Sequence, residues 1–205
     1  MRLYQFVFQF LSKASHSSWK RCCRLISVFI LKGYNVSYGR GLISNGLPKI
    51  KTFPRSKFHI GKNFYMNNGK NFNMIGRQQQ CYFVVLNDAH LQIGNNVGMS
   101  STAIFCTLKI TIGDYVKFGG NTCIYDTDFH SLDYLHRQSR STDLANAKSK
   151  EVCLGNNVFI GAHSTILKGV NIGDNSIIGA CSVVTKSIPS NEIWAGNPAK
   201  FIKNV

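Results

Sequence analysis

A six-residue period runs through the second half of this 205-residue chain. From Leu154 the sequence divides into LGNNVF, IGAHST, ILKGVN, IGDNSI, IGACSV and VTKSIP. An aliphatic residue stands at 154, 160, 166, 172, 178 and 184. Val158, Ser164, Val170, Ser176 and Ser182 follow four places after the first five. IGDYVK from Ile112, FGGNTC from Phe118 and IYDTDF from Ile124 are in phase with Leu154. IGNNVG from Ile93 and MSSTAI from Met99 obey the same rule, shifted by one extra residue between Phe105 and Thr111, and Ile60 opens a weaker copy, IGKNFY. A helix would repeat every 3.6 residues and a half-buried strand every two, so neither explains the pattern. One large aliphatic in six means one short strand and one tight turn per unit. Three units close a triangular coil of about 18 residues, and coils must stack because none buries its apolar face alone. Gly, Asn and Asp are expected at turns that need positive φ or a side-chain prop. The expected fold is an all-β solenoid.

The period fails between Ile124 and Leu154, where the chain is polar and charged. Residues 125–153 are therefore expected to leave the solenoid as a protruding loop, and long loops in compact domains are usually functional. Pro189 and Pro198 punctuate the end, so the solenoid, assigned to 36–190, gives way to a short C-terminal helix or arm over 191–205. Residues 1–35 form a basic helical segment. Its apolar runs, Met1–Leu11 and Leu25–Leu31, flank Lys13, Lys20, Arg21 and Arg24. Both runs fall short of the roughly 18–20 residues a membrane span requires, so two short amphipathic helices are expected.

Charge is unevenly placed. Before Asp88 there are 14 Lys and Arg and no Asp or Glu; from Asp88 onward there are 10 against 9. A whole-surface nucleic-acid binder does not look like this, whereas a basic patch for an anionic membrane or substrate does. Seven cysteines without a C-x-x-C fit buried thiols in a reducing cytosol better than disulfides or a zinc site.

The densest polar cluster is Asp126-Thr127-Asp128-Phe129-His130, with Arg137 seven residues beyond the histidine. A carboxylate on one imidazole nitrogen fixes the tautomer and leaves the other nitrogen free to take a hydroxyl proton. In its hexapeptides the chain resembles the left-handed parallel β-helix acetyltransferases of the hexapeptide-repeat family. The run DTDFH…R resembles the active-site loop of those related to maltose, galactoside and exopolysaccharide O-acetyltransferases. The resemblance covers residues 88–203. It implies an acetyl-CoA-dependent sugar O-acetyltransferase of bacterial surface-polysaccharide biosynthesis, with His130 as the general base. Asp126, Asp128 and Arg137 would orient that base or contact the sugar. Where related enzymes carry an Asn before the loop, this chain has Met99-Ser100-Ser101-Thr102, so Ser101 or a backbone N–H would hold the oxyanion.

The tail AGNPAKFIK, from Ala195 to Lys203, resembles the family's C-terminal signature, which implies a CoA groove. Gly161, Ala162, Gly179 and Ala180 would let a pantetheine arm lie close to the backbone. Asn197 and Pro198 belong to the signature, Lys186 and Lys200 would pair with CoA phosphates, and Trp194 would line the adenine. The family further implies a homotrimer, which Phe83, Val85 and Phe105 would serve as apolar residues outside the ladder. The expected location is cytoplasmic, peripheral at the inner face of the membrane, with no metal. Alternatives are N-acetylation of an amino-sugar nucleotide, a γ-carbonic-anhydrase-like zinc site drawn from His90, His130, His136 and His163, and a non-catalytic scaffold.

Overall fold

In a computed structural model, the described residues are 3–69, 71–73, 75 and 79–205, with side chains described from residue 17 on. The repeats wind into a left-handed parallel β-helix with three flat faces. The first sheet stacks Ser37–Tyr38, Lys57–Ile60, His90–Ile93, Lys109–Ile112, Val152–Leu154 and Asn171–Ile172. The second stacks Ile43–Asn45, Tyr65–Asn67, Gly98–Ser100, Lys117–Phe118, Phe159–Ile160 and Ile177–Ile178. The third stacks Lys49–Thr52, Tyr82–Val85, Ala103–Cys106, Cys123–Tyr125, Thr165–Ile166 and Val183–Val184.

The aliphatic ladder points inward as the period requires. Ile60, Ile93, Ile112, Leu154 and Ile172 lie in register up the first face, and Ile104, Ile124, Ile166 and Val184 up the third. All are fully buried, as are Val158, Ser164, Val170, Ser176 and Ser182. Each buried aliphatic contributes on the order of 1.5–3 kcal/mol. The one-residue phase shift is visible in the pairing. Ile93 faces Ile112, whereas further on Leu154 faces Ile172 eighteen residues later. The extra residue sits in the turn at Thr107–Leu108, which follows the third-sheet strand Ala103–Cys106.

The turns follow the sequence reading: left-handed φ is taken by Asn63, Asn96, Asn121, Asn157, Asn175 and Asn191, by Asp88, and by Gly41, Gly46 and Gly169, residue types that tolerate it. Gly161 is there for closeness: a Cβ on it would collide with the Ala180 backbone nitrogen of the next coil.

The N-terminal segment is one helix, α1 (Leu3–Gly33), where two were expected. The polar stretch between the apolar runs contains no Gly or Pro, so nothing breaks it. Cys23, Ser27 and Leu31, spaced by four, are buried against the first coil, and Ser27 Oγ donates to Ser44 Oγ at 2.9 Å. The helix thereby caps the open end of the solenoid. The expectations placed on the run Met1–Leu11 and on Lys13 lie outside the described side chains. At the other end Glu192–Ala195 joins the second sheet and pairs antiparallel with Lys200–Asn204, so the tail is a hairpin and not a helix. Phe83 and Val85 belong to the core and are not available for a partner.

Candidate active site

The excursion leaves the solenoid after Tyr125 and returns at Val152. It is not structureless: a 3-10 turn at His136–Gln138 leads into α2 (Arg140–Asn146). The folding-back of α2 brings Asp143 to His130, with Nδ1 of the imidazole 2.6 Å from Asp143 Oδ2. The other oxygen, Oδ1, accepts the Ser131 backbone N–H at 2.7 Å. The His130 hydrogen bond, seconded by the Ser131 amide, holds the Asp143 carboxyl below its ordinary value against the opposing effect of burial. An ionised Asp143 can only accept, so it fixes the proton on Nδ1 and leaves Nε2 as a lone pair. The carboxylate is sunk, at 11% exposure, while the imidazole is 68% exposed. An exposed imidazole of fixed orientation is the result.

Phe129, which immediately precedes His130, takes φ +64°. That conformation costs an aromatic residue on the order of 1–2 kcal/mol. It is held by rings: Phe105 lies 4.8 Å from Phe129, and Tyr125 5.2 Å, both edge-on. The Phe129 N–H also reaches Thr127 Oγ1 at 3.3 Å.

Asp126 is not where its sequence neighbourhood suggested. It is fully buried, held by the turn with the extra residue and beside the Cys106 thiol. Oδ1 accepts from Thr107 N (2.7 Å) and Thr107 Oγ1 (2.8 Å), and Oδ2 from Leu108 N (2.7 Å) and Lys109 N (3.0 Å). The Asp126 carbonyl accepts Lys150 N at 2.8 Å, and Thr107 Oγ1 meets Ser149 Oγ at 2.8 Å. Asp126 is thus a clasp that ties both ends of the excursion to the solenoid. Asp128 is likewise engaged, its Oδ1 3.1 Å from Lys168 Nζ and its Oδ2 buried without a partner. Arg137 stays in the loop and donates to the Ser131 carbonyl. His136 meets Ser131 Oγ at 3.1 Å. Ser101 is fully buried and its hydroxyl receives Asn73 Nδ2 at 2.7 Å, so it has no open face for an oxyanion.

The small residues assigned to a CoA groove lie at the opposite edge of the third sheet, before its strands rather than after them. The space a Cβ would take at Gly179 holds the Ala195 side chain, and that at Gly161 holds the next coil. These two glycines serve coil stacking, while Ala162 and Ala180 reach the surface. Lys186 is exposed at the same corner as the loop, on the coil after Lys168. Asn197, Pro198 and Lys200 are exposed on the terminal hairpin. Trp194 is not free for adenine: it is half-buried, donates Nε1 to Glu192 at 2.6 Å and leans edge-on toward Phe201. Among the described residues no three His, Cys, Asp or Glu side chains converge to hold a metal, and His90, His136 and His163 do not join His130.

Sequence reasoning missed Asp143 and the left-handed Phe129. The only local signal for Asp143 was an acid in a Ser/Thr-rich stretch, STDLAN, suited to a first helical turn.

The model for bacterial transferase hexapeptide (six repeats) matches residues 154–186. Protein CapG of Staphylococcus aureus is 42% identical over 115 residues, 56% of this chain and 53% of that protein. Galactoside O-acetyltransferase of Escherichia coli (strain K12) is 34% identical over 150 residues, 73% of this chain and 55% of that protein. The chain thus spans a little over half the length of these two relatives. It covers 75% of a third, the putative lipopolysaccharide biosynthesis O-acetyl transferase WbbJ of Escherichia coli (strain K12), at 32% identity over 60% of its own length. Among solved structures, the N-acyltransferase AntD from Bacillus cereus shares the fold at TM-score 0.65 and 24% identity, covering 87% of this chain and 88% of that one. A galactoside acetyltransferase in complex with coenzyme A aligns at TM-score 0.50 and 26% identity, covering 85% of this chain and 67% of that one.

Proposed function

Because this chain belongs to the hexapeptide-repeat transferase family, we propose that it is an acyltransferase moving acetyl from acetyl-CoA to a sugar hydroxyl, with His130 as general base. The observation that carries this reading is the His130–Asp143 pair, with Nε2 left open at the surface. Acetyl-CoA supplies the thioester. Nε2 accepts the acceptor's hydroxyl proton as the oxygen attacks the acyl carbon, and Asp143 stabilises the imidazolium so formed. The same proton then leaves on the departing CoA sulfur, which returns His130 to its starting state. Lys186, at the loop's own corner, and Lys200 suit the CoA phosphates as point charges. Ala162, Ala180, Asn197 and Pro198 keep their assignment to that cosubstrate, and Asp128 and Arg137 theirs to the sugar. A role in bacterial surface polysaccharide synthesis, whether capsule, O-antigen or exopolysaccharide, accords with the name of the WbbJ relative.

Asp143→Asn tests this assignment. If the Asn oxygen keeps the Ser131 N–H, its NH₂ faces Nδ1 and drives the proton to Nε2, the wrong tautomer. The expected loss in kcat is on the order of 10²–10³ with little change in either KM. CoA thiol release measured against sugar hydroxyl and amino-sugar acceptors reads it. Unchanged turnover would remove the pair from the mechanism, and transfer only to amines would move the reading to N-acylation. The acid side carries a second readout. A carboxyl held low contributes stability above its ordinary value, lost as pH falls through the lowered one. Asp143→Asn is therefore expected to flatten the acid limb of a stability profile.

Two further assignments belong to this reading. Leu132, Tyr134, Leu135 and Leu144 leave an exposed apolar patch on the excursion, the kind of surface a neighbouring subunit covers; we assign it to a homotrimer. On α1, Leu25 (72% exposed) and Phe29 (78%) face outward beside Arg21, Arg24 and Lys32, and we assign this face to reversible attachment at the cytoplasmic leaflet. Among the described residues no helix is long and apolar enough to cross a membrane. Each cation near an anionic surface contributes on the order of 1 kcal/mol at low salt. One sedimentation experiment checks both: a three-chain mass in solution, and pelleting with anionic but not neutral vesicles, falling with salt. A single-chain mass sinks the first assignment and indifference to both vesicle types the second.

A further inference from the structure

The outward face of the third sheet forms a trough that runs toward Phe129, the residue before the candidate base. Lys51, Val84, Phe105 and Tyr125 lie in register up this face, beside a second column of Lys49, Tyr82 and Ala103. Two hollows occupy it. One of about 680 Å³ runs between Ile30 and Tyr34 of the α1 end and Lys49, Lys51 and Tyr82. The other, of about 290 Å³, is lined by Lys51, Tyr82, Val84, Phe105 and Tyr125. Lys51 and Tyr82 border both, so the hollows adjoin. At the far end Phe129 covers Phe105 and Tyr125, and the next residue is His130. Three strand spacings, about 14 Å, separate Lys51 from Tyr125.

The trough has an aromatic end and a cationic end. Tyr82, Phe105 and Tyr125 present ring faces and edges, which suit the C–H surface of a pyranose. Lys49 and Lys51 are exposed and, among the described residues, neither has a carboxylate partner. The chain supplies no acid in its first 87 residues to neutralise them. Lys51 Nζ lies 5.4 Å over the Phe53 ring, a contact that leaves its charge unneutralised. Two ammonium groups without a carboxylate, beside an apolar bed, select an anion attached to a less polar body.

We propose that this trough binds the acceptor saccharide as its phosphate or diphosphate ester. Lys49 and Lys51 hold the anion, and the ring lies over Tyr82, Phe105 and Tyr125 with one hydroxyl at His130 Nε2. This deepens the acyl-transfer reading and rests on it for the hydroxyl, but not for the anion. The trough uses two of the 14 cations that precede Asp88.

The test is direct binding by titration calorimetry to the full chain saturated with CoA, so that the CoA phosphate site is filled. The probes are inorganic pyrophosphate, uridine diphosphate and farnesyl diphosphate. In Lys49→Gln/Lys51→Gln, pyrophosphate affinity is expected to fall by about tenfold at low salt, with a flatter salt dependence and unchanged CoA affinity. Lys49→Arg/Lys51→Arg is expected to keep the binding. Tighter binding of uridine diphosphate than pyrophosphate, lost in the Gln variant, assigns a nucleotide ester; the same result for farnesyl diphosphate assigns a lipid-linked one. Pyrophosphate affinity unaltered by the Gln variant overturns the proposal. So does a Gln variant with altered sedimenting mass and unaltered affinity, which would make the face a contact between copies of this chain. Because the readout is binding, failure of the acyl-transfer reading through His130 leaves this result standing, and the reverse also holds.

Discussion

His130→Ala is expected to lower kcat by roughly 10²–10⁴ while leaving the β-helix folded, because a positioned general base contributes about that much. The fold is indifferent to the side chain for a physical reason. The imidazole is 68% exposed, its one described hydrogen bond goes to a carboxylate that also holds the Ser131 N–H, and no core residue leans on it. Acetyl-CoA KM is expected to move little, since the contacts proposed for CoA do not include His130. Steady-state thiol release, with circular dichroism and sedimentation as controls, reads the result. Turnover within a few-fold of the parent would take His130 out of the mechanism.

Asp126→Ala is expected to cost about 3–5 kcal/mol of stability. Four donors converge on this fully buried carboxylate: Thr107 N, Thr107 Oγ1, Leu108 N and Lys109 N. Alanine leaves Thr107 N, Leu108 N and Lys109 N without this acceptor. Asn is no rescue, because its NH₂ would meet N–H groups on one side. The damage is expected to spread to the site, since the Asp126 carbonyl and the Thr107–Ser149 hydroxyl pair tie the returning chain. Urea unfolding measures the stability, and turnover of the still-folded fraction measures the spread. A midpoint within about 0.5 kcal/mol of the parent would mean that water replaces the carboxylate at no cost.

These two aspartates and Asp143 show where sequence reading loses its grip. Asp126 and Asp128 stand beside His130 in the chain, and proximity suggested that one of them orients it. The backbone turns between them, with Phe129 in the left-handed region, so Asp126 faces the solenoid and Asp128 turns to Lys168. The partner of His130 is thirteen residues on. Nothing local connects the two: the pairing exists only because α2 folds back across the loop root. Ser101 fails for a related reason, since whether a hydroxyl is open or covered depends on Asn73, twenty-eight residues away.

The solenoid itself was legible from residues alone. Ile112, Phe118, Ile124, Leu154, Ile160, Ile166, Ile172, Ile178 and Val184 repeat every six positions wherever the loop does not intervene, and every one is buried. The one-residue slip near Thr107 was also legible, and it falls in the turn that Asp126 clasps. A periodic pattern is readable because each residue meets its own equivalent one coil away, so the same local rule is written many times. The site is written once. The orientation of His130, the clasp at Asp126, the close stacking of Gly161 and the trough from Lys51 to Tyr125 each join segments at separations that no period encodes. Only tertiary structure decides them, because a single hydrogen bond or ring contact between distant segments leaves no repeated mark in the sequence.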